Sequence, residues 1–237
     1  MYDVLNCITT EHDWQHVLAA LFVLAFSNCC SLVIYYRSQA ARRERNKILW
    51  AIAAGMVVGL GVWATHFIAL LGYKPGFEVL FSGGRTVISA AISVSGFILT
   101  ALLLRLNSDA PLRLICAGIA TLSVTGMHFY GMTALQASAV IEYDSVSVTV
   151  ALVLGFLAYT GTYLIGGNPN VRWSTAFATT TSVIAVLSIH FISASGTTMI
   201  PIKGLEAPLI PLHTGGISLI IGIAMLVIIF LSAMAAG

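Results

Sequence analysis

Seven stretches of the chain, 14–36, 48–71, 86–104, 114–135, 146–166, 173–198 and 214–236, contain no Asp, Glu, Lys or Arg. A helix needs about 20 mostly apolar residues to cross a hydrocarbon layer roughly 30 Å thick. No water reaches that layer to satisfy backbone polar groups, so a crossing segment must be a helix or part of a closed barrel. Runs of this length read as helices. Of the 237 residues 58% are apolar and only 8% are charged, against roughly 25% charged in soluble domains. The expected fold is an all-α membrane protein with seven transmembrane helices forming one domain over 1–237. The first run is not a cleavable signal, because its basic residues, Arg37 to Lys47, follow the apolar segment instead of preceding it.

Charge gives an expected orientation, since Lys and Arg accumulate in short cytoplasmic loops. The linkers after spans one, three and five hold Arg37, Arg42, Arg43, Arg45, Lys47, Arg105, Arg113 and Arg172; the opposite face holds Lys74, Arg85 and Lys203. Acidic residues run the other way. Asp3, Glu11, Asp13, Glu78, Glu142, Asp144 and Glu206 lie on the second face, leaving Glu44 and Asp109 with the basic linkers. The N-terminus is therefore expected outside and the C-terminus in the cytoplasm.

His66, His128 and His190 are 62 residues apart in each interval, and each is followed by Phe. Such spacing signals an internal triplication. Three two-helix repeats of about 62 residues are expected, approximately 12–72, 73–135 and 136–198, with a final helix at 213–236. The even spans are then equivalent, and each brings an imidazole near its outer end. Small residues such as Gly55, Gly59, Gly61, Gly118, Gly126 and Gly131 recur in spans two and four, where they let helices approach closely. Gly55 and Gly59 form a GxxxG pair, read as packing within the bundle with a homodimer face as the alternative.

Three imidazoles in register suggest a shared metal or cofactor, the alternative being polar residues that hold helices together. The best-formed copy is Gly-Met-His-Phe-Tyr-Gly-Met over 126–132. Met132 is one turn beyond His128 and shares its face; Met127, adjacent to it, points about 100° away. Imidazole with thioether suits copper, particularly Cu(I), better than magnesium or calcium. The other copies carry Thr65, Leu70, Ile189 and Ala194 where methionines would stand, a set that also fits Cu(II) or zinc. Glu11, His12, Asp13 and His16 make a second cluster, with His12 and His16 spaced i, i+4 as a helical chelating pair. Capping by Asp13 or Thr10 is the plainer account of that cluster. His213 opens the last span on the same side.

Other classes find less support. No basic patch interleaved with aromatics points to nucleic acid. Cys7, Cys29, Cys30 and Cys116 show neither CxxC nor zinc spacing, and only Cys7 is expected outside, so no external disulfide within the chain is expected. Every lysine is in a loop, which leaves no amine for a retinal Schiff base. No carboxylate lies inside a span to complete a catalytic triad. A transporter calls for charged or proline-broken spans near the midplane. A haem protein or metal-dependent membrane enzyme remains an alternative, since facing histidines ligate haem iron.

These features together, seven spans with histidine motifs at the outer ends of the even helices, resemble the MHYT family of bacterial integral membrane sensor domains. The resemblance covers nearly the whole chain and is most specific over Gly126–Met132, then over Trp63–Leu71. It implies a sensory input domain rather than an enzyme, binding copper through His66, Met127, His128, Met132 and His190 and responding to oxygen, carbon monoxide or nitric oxide. It also implies signalling to cytoplasmic diguanylate cyclase or phosphodiesterase domains that turn over cyclic di-GMP.

Overall fold

The computed structural model describes residues 12–74, 80–106, 109–136, 139–165, 173–201 and 211–236. Within them run seven helices: α1 Trp14–Ala40, α2 Glu44–Leu71, α3 Gly83–Leu106, α4 Ala110–Met132, α5 Ser145–Ile165, α6 Ser174–Ser195 and α7 Thr214–Ala236. All seven are long and apolar enough to cross a membrane. Their outward faces carry Phe22, Leu122, Leu157, Leu226 and Phe230, all exposed, a distribution that water would penalise and lipid does not. The chain is a multi-pass membrane protein.

At the end rich in basic residues the helices overrun the charge-free segments. Glu44 opens α2 and pairs with Lys47 at 2.7 Å and with Arg105 of α3 at 2.8 Å. Arg37, in the last turn of α1, donates to the Ala235 carbonyl of α7 and lies over the Trp50 ring. Long basic side chains thus keep their apolar stems against the bundle and their charges at its edge.

Each of the first five helices packs on the next, and α6 returns to α1, while α7 lies against α1 and α2. Helix α2 is the most enclosed, with 67% of its apolar window buried against 22% for α5 and α7. The small residues of α2 explain this. A Cβ on Gly55 would stand 2.5 Å from the Ile98 Cα, and one on Gly59 would stand 2.6 Å from the Val94 Cα. The GxxxG face is therefore occupied by the α3 backbone of the same chain.

Among the described residues, the connections at the histidine end contain strands. Five short strands, β1 Leu80–Ser82, β2 Leu135–Gln136, β3 Ala139–Tyr143, β4 Thr197–Pro201 and β5 Pro211–Leu212, form two small antiparallel sheets in the orders β2-β1-β5 and β3-β4. Each follows an even helix or precedes an odd one, so the sheets cap a single end of the bundle. The all-α expectation holds for the spans; the cap adds to it. Connecting backbone at that end gains hydrogen-bond partners by pairing, and Val140, Ile141 and Tyr143 favour extended structure.

The structure corrects one local expectation. Helix α1 begins at Trp14 with Asp13 as its cap, accepting the Gln15 N–H at 2.9 Å. His12 is outside the helix, in an isolated antiparallel bridge with Tyr73, so His12 and His16 are not a helical i, i+4 pair. The capping account of Asp13 holds; Cys7, Thr10 and Glu11 lie outside the described residues.

Candidate metal centre

His66, His128 and His190 stand four or five residues before the ends of α2, α4 and α6, about 6–8 Å below the cap at 1.5 Å per residue. The following Phe turns its edge against each ring. Centroid separations are 5.1 Å for His66–Phe67, 5.0 Å for His128–Phe129 and 4.9 Å for His190–Phe191. The repeated dipeptide thus produces a repeated local packing. In α6 it does so from a different backbone, because Ser188–Ile192 form a π turn, a device often found at functional sites.

The three even helices bring these rings together. Their centroids are 5.1, 5.3 and 5.1 Å apart, with planes crossing at 78°, 81° and 83°. This is an almost three-fold propeller. The Nδ1 of His66 is 3.2 Å from that of His190 and 3.4 Å from that of His128. The rings are 3%, 1% and 7% exposed respectively. One nitrogen from each ring falls in a group spanning no more than 4.8 Å, the one such cluster of three metal-competent groups among the described residues.

That geometry suits one small cation. Metal–nitrogen bonds of about 2.0–2.1 Å in a tetrahedral set place ligand nitrogens about 3.3–3.4 Å apart, and the observed separations straddle that value. One proton can be shared by only two of the three Nδ1 atoms, whereas one ion would engage all three Nδ1 lone pairs at once. The Nε2 atoms, on the other edge of each ring, are buried without a hydrogen-bond partner and lie out of reach of an ion held on Nδ1. Val17, Val124, Met127, Val186 and Phe191 help line the cavity around the rings, whose volume is about 20 Å³. One water needs about 10–15 Å³ by the same measure, so there is room for an ion with one small ligand and none for a porphyrin.

The remaining candidates divide. Met127 lines the triad's cavity; Met132 lines a second one nearer the cap, together with His12, Tyr73 and His190. The shared face of His128 and Met132 is real, but one turn of rise carries the thioether outward past the triad. His16 packs against Gly72, where a Cβ would meet its own Cβ at 2.5 Å, and lines neither cavity. His213 is exposed before α7 and likewise lines neither. The described cysteines are free.

Three contributors have particular roles that the sequence does not mark, although Gly131 stands among its packing glycines. Gly131 makes room for the His66 ring, since a Cβ there would stand 2.5 Å from His66 Nε2. Asn28 in α1 accepts a 2.7 Å hydrogen bond from Ser182 of α6 and donates to the Leu24 carbonyl, a polar tie deep among apolar spans. Tyr143, in the cap, sets its ring 4.9 Å from Phe129, and burial pushes its phenol up to about 12. Beside it, Asp144 accepts the Ser147 N–H and hydroxyl, which hold its carboxyl below the usual range.

Fold and site together define a seven-span membrane module with an imidazole triad buried under one rim. A family model described as MHYT, the bacterial signalling protein N-terminal repeat, matches residues 59–118 and 122–179. The chain belongs to the MHYT family and is a signalling module. It is 27% identical over 226 residues, 94% of its length, to an uncharacterized signaling protein of Caulobacter vibrioides, covering 27% of that protein. It is 27% identical over 163 residues, 65% of its length, to the cyclic di-GMP phosphodiesterase NbdA of Pseudomonas aeruginosa, covering 21% of it. The bifunctional diguanylate cyclase/cyclic di-GMP phosphodiesterase MucR of the same organism is 25% identical over 118 residues, 49% of this chain and 17% of MucR. The chain thus spans about a quarter or less of each relative. No solved structure matches it.

Proposed function

We propose that this chain is a membrane sensor in which His66, His128 and His190 hold one copper ion beneath the outer rim. The reading is carried by the convergence of three buried imidazole nitrogens at 3.2 and 3.4 Å. Copper is favoured over zinc by the Met127 thioether on the cavity wall and by the absence of redox chemistry at zinc. The stimulus is copper itself, its redox state, or a diatomic gas such as oxygen, carbon monoxide or nitric oxide; the cavity has room for one such molecule beside an ion. A bound copper ion with an open position supplies gas binding and one-electron redox chemistry. The protein's part is to hold neutral imidazoles in place, exclude bulk water and translate a change at the rings into helix packing.

The N-terminus is outside and the C-terminus in the cytoplasm, with three repeats built as the spacing of 62 implies. Its output acts on cyclic di-GMP, as the names of two relatives suggest, through a cytoplasmic domain or partner. Signalling requires that the stimulus bind two conformations unequally. The test is copper content of the purified protein beside a His128→Ala variant. One equivalent in the native protein and loss of tight binding in the variant are expected; equal content in both removes the proposal.

A further inference from the structure

Two small cavities meet at His190. The inner one holds the triad; the outer one, also about 20 Å³, is lined by His12, Leu70, Tyr73, Met132, His190 and Ala194, with Thr197 of β4 at its edge. His12 is 5% exposed and Met132 is 4% exposed. The His12 ring stands edge-on to His190 at 6.3 Å and to Phe191 at 5.7 Å. A buried imidazole and a buried thioether therefore share a space directly above one triad member, just under the cap. No carboxylate lines that space, which disfavours hard cations and suits a soft monovalent one.

We propose that His12 and Met132 form a loading site through which Cu(I), or a soft cation of the same class, reaches the triad, with His190 passing it inward. The inference rests on the triad reading and adds the route. His190 alone faces both cavities. It is also the one triad residue on a π turn, so its backbone is the least regular of the three. The transfer is a ligand exchange: the ion leaves thioether and outer imidazole for inner imidazoles, all neutral, with no electron or proton transferred. A loading site lowers the barrier in both directions and leaves the end states alone, which separates it from a fourth ligand of the triad.

The experiment uses purified protein in lipid nanodiscs, with copper(I) bicinchoninate as donor and excess chelator for release. Met132→Leu and His12→Phe, both close in volume, are expected to slow loading and release by at least tenfold each, in equal measure, so that affinity is kept. Wild-type rates in both variants overturn the loading site; a fall in affinity with unchanged loading rate makes Met132 a triad ligand and overturns it as well. X-ray absorption of Ag(I) in His128→Ala supplies the independent arm. A sulfur neighbour that Met132→Leu abolishes is expected, and its absence counts against the inference. Should the native protein take up no copper, the triad reading falls, and the sulfur signature decides the outer site by itself.

Discussion

Gly131 sets how closely α4 approaches the His66 ring, so it is the residue at which a single methyl group should be felt. A Cβ there would stand 2.5 Å from Nε2 and 2.9 Å from Cδ2 of His66. In Gly131→Ala the ring must swing, and copper affinity measured by chelator competition should drop at least tenfold. Gly118→Ala is the matched control, since its Cβ would meet nothing nearer than a Phe156 ring carbon at 4.0 Å. That variant should keep native affinity and gain up to about 1 kcal/mol from the better helix former. The histidines were legible because period and residue type repeat together. The roles of the two methionines were not: helical angle places Met132 on the face of His128, yet the extra rise lifts it into the outer cavity, while Met127 reaches the inner one. A glycine spared for a neighbour's ring leaves no mark in sequence that distinguishes it from Gly118.

Helix α6 differs from its counterparts α2 and α4 by the π turn at Ser188–Ile192. Copper binding should slow amide exchange there more than over 126–130 of α4; equal protection in both would remove α6 from any account of signalling. The same helix is tied to α1 through the buried Asn28–Ser182 hydrogen bond. Ser182→Ala and Asn28→Ala should be non-additive, with a coupling of about 0.6–1.7 kcal/mol by thermal unfolding in detergent. At the start of α5 the sign is set by an acid. Hydrogen bonds from Ser147 lower the Asp144 pKa, so this carboxylate adds stability above the ordinary Asp range near pH 3.9 and loses it as pH falls through its lowered value. Protection of the Ser147 amide from exchange, relative to its intrinsic rate at each pH, should hold down to about pH 4 and fall below it; Asp144→Asn should flatten that dependence.

For the whole molecule, charge asymmetry makes a directional prediction. In a background with Cys7, Cys29, Cys30 and Cys116 replaced by Ser, His213→Cys should react with a membrane-impermeant maleimide added to intact cells. Asp109→Cys should react only after lysis; the reverse pattern would invert the orientation. The spans were readable from the sequence, as burial in lipid demands long runs without charge. The small sheets over the histidine end were not, because strands of two to five residues leave too short a period to detect and owe their form to neighbours distant in sequence. Likewise the closure of α6 onto α1 is a matter of packing that no local pattern records. The contact of α2 with α3 has one more implication. With backbone against backbone at Gly55 and Gly59, the post that carries His66 is seated directly on its neighbour, whereas the post that carries His190 contains a π turn. A guest that asked the three rings to move apart or together would meet one close-packed anchor and one irregular one, and the displacement would then run down a single side of the bundle.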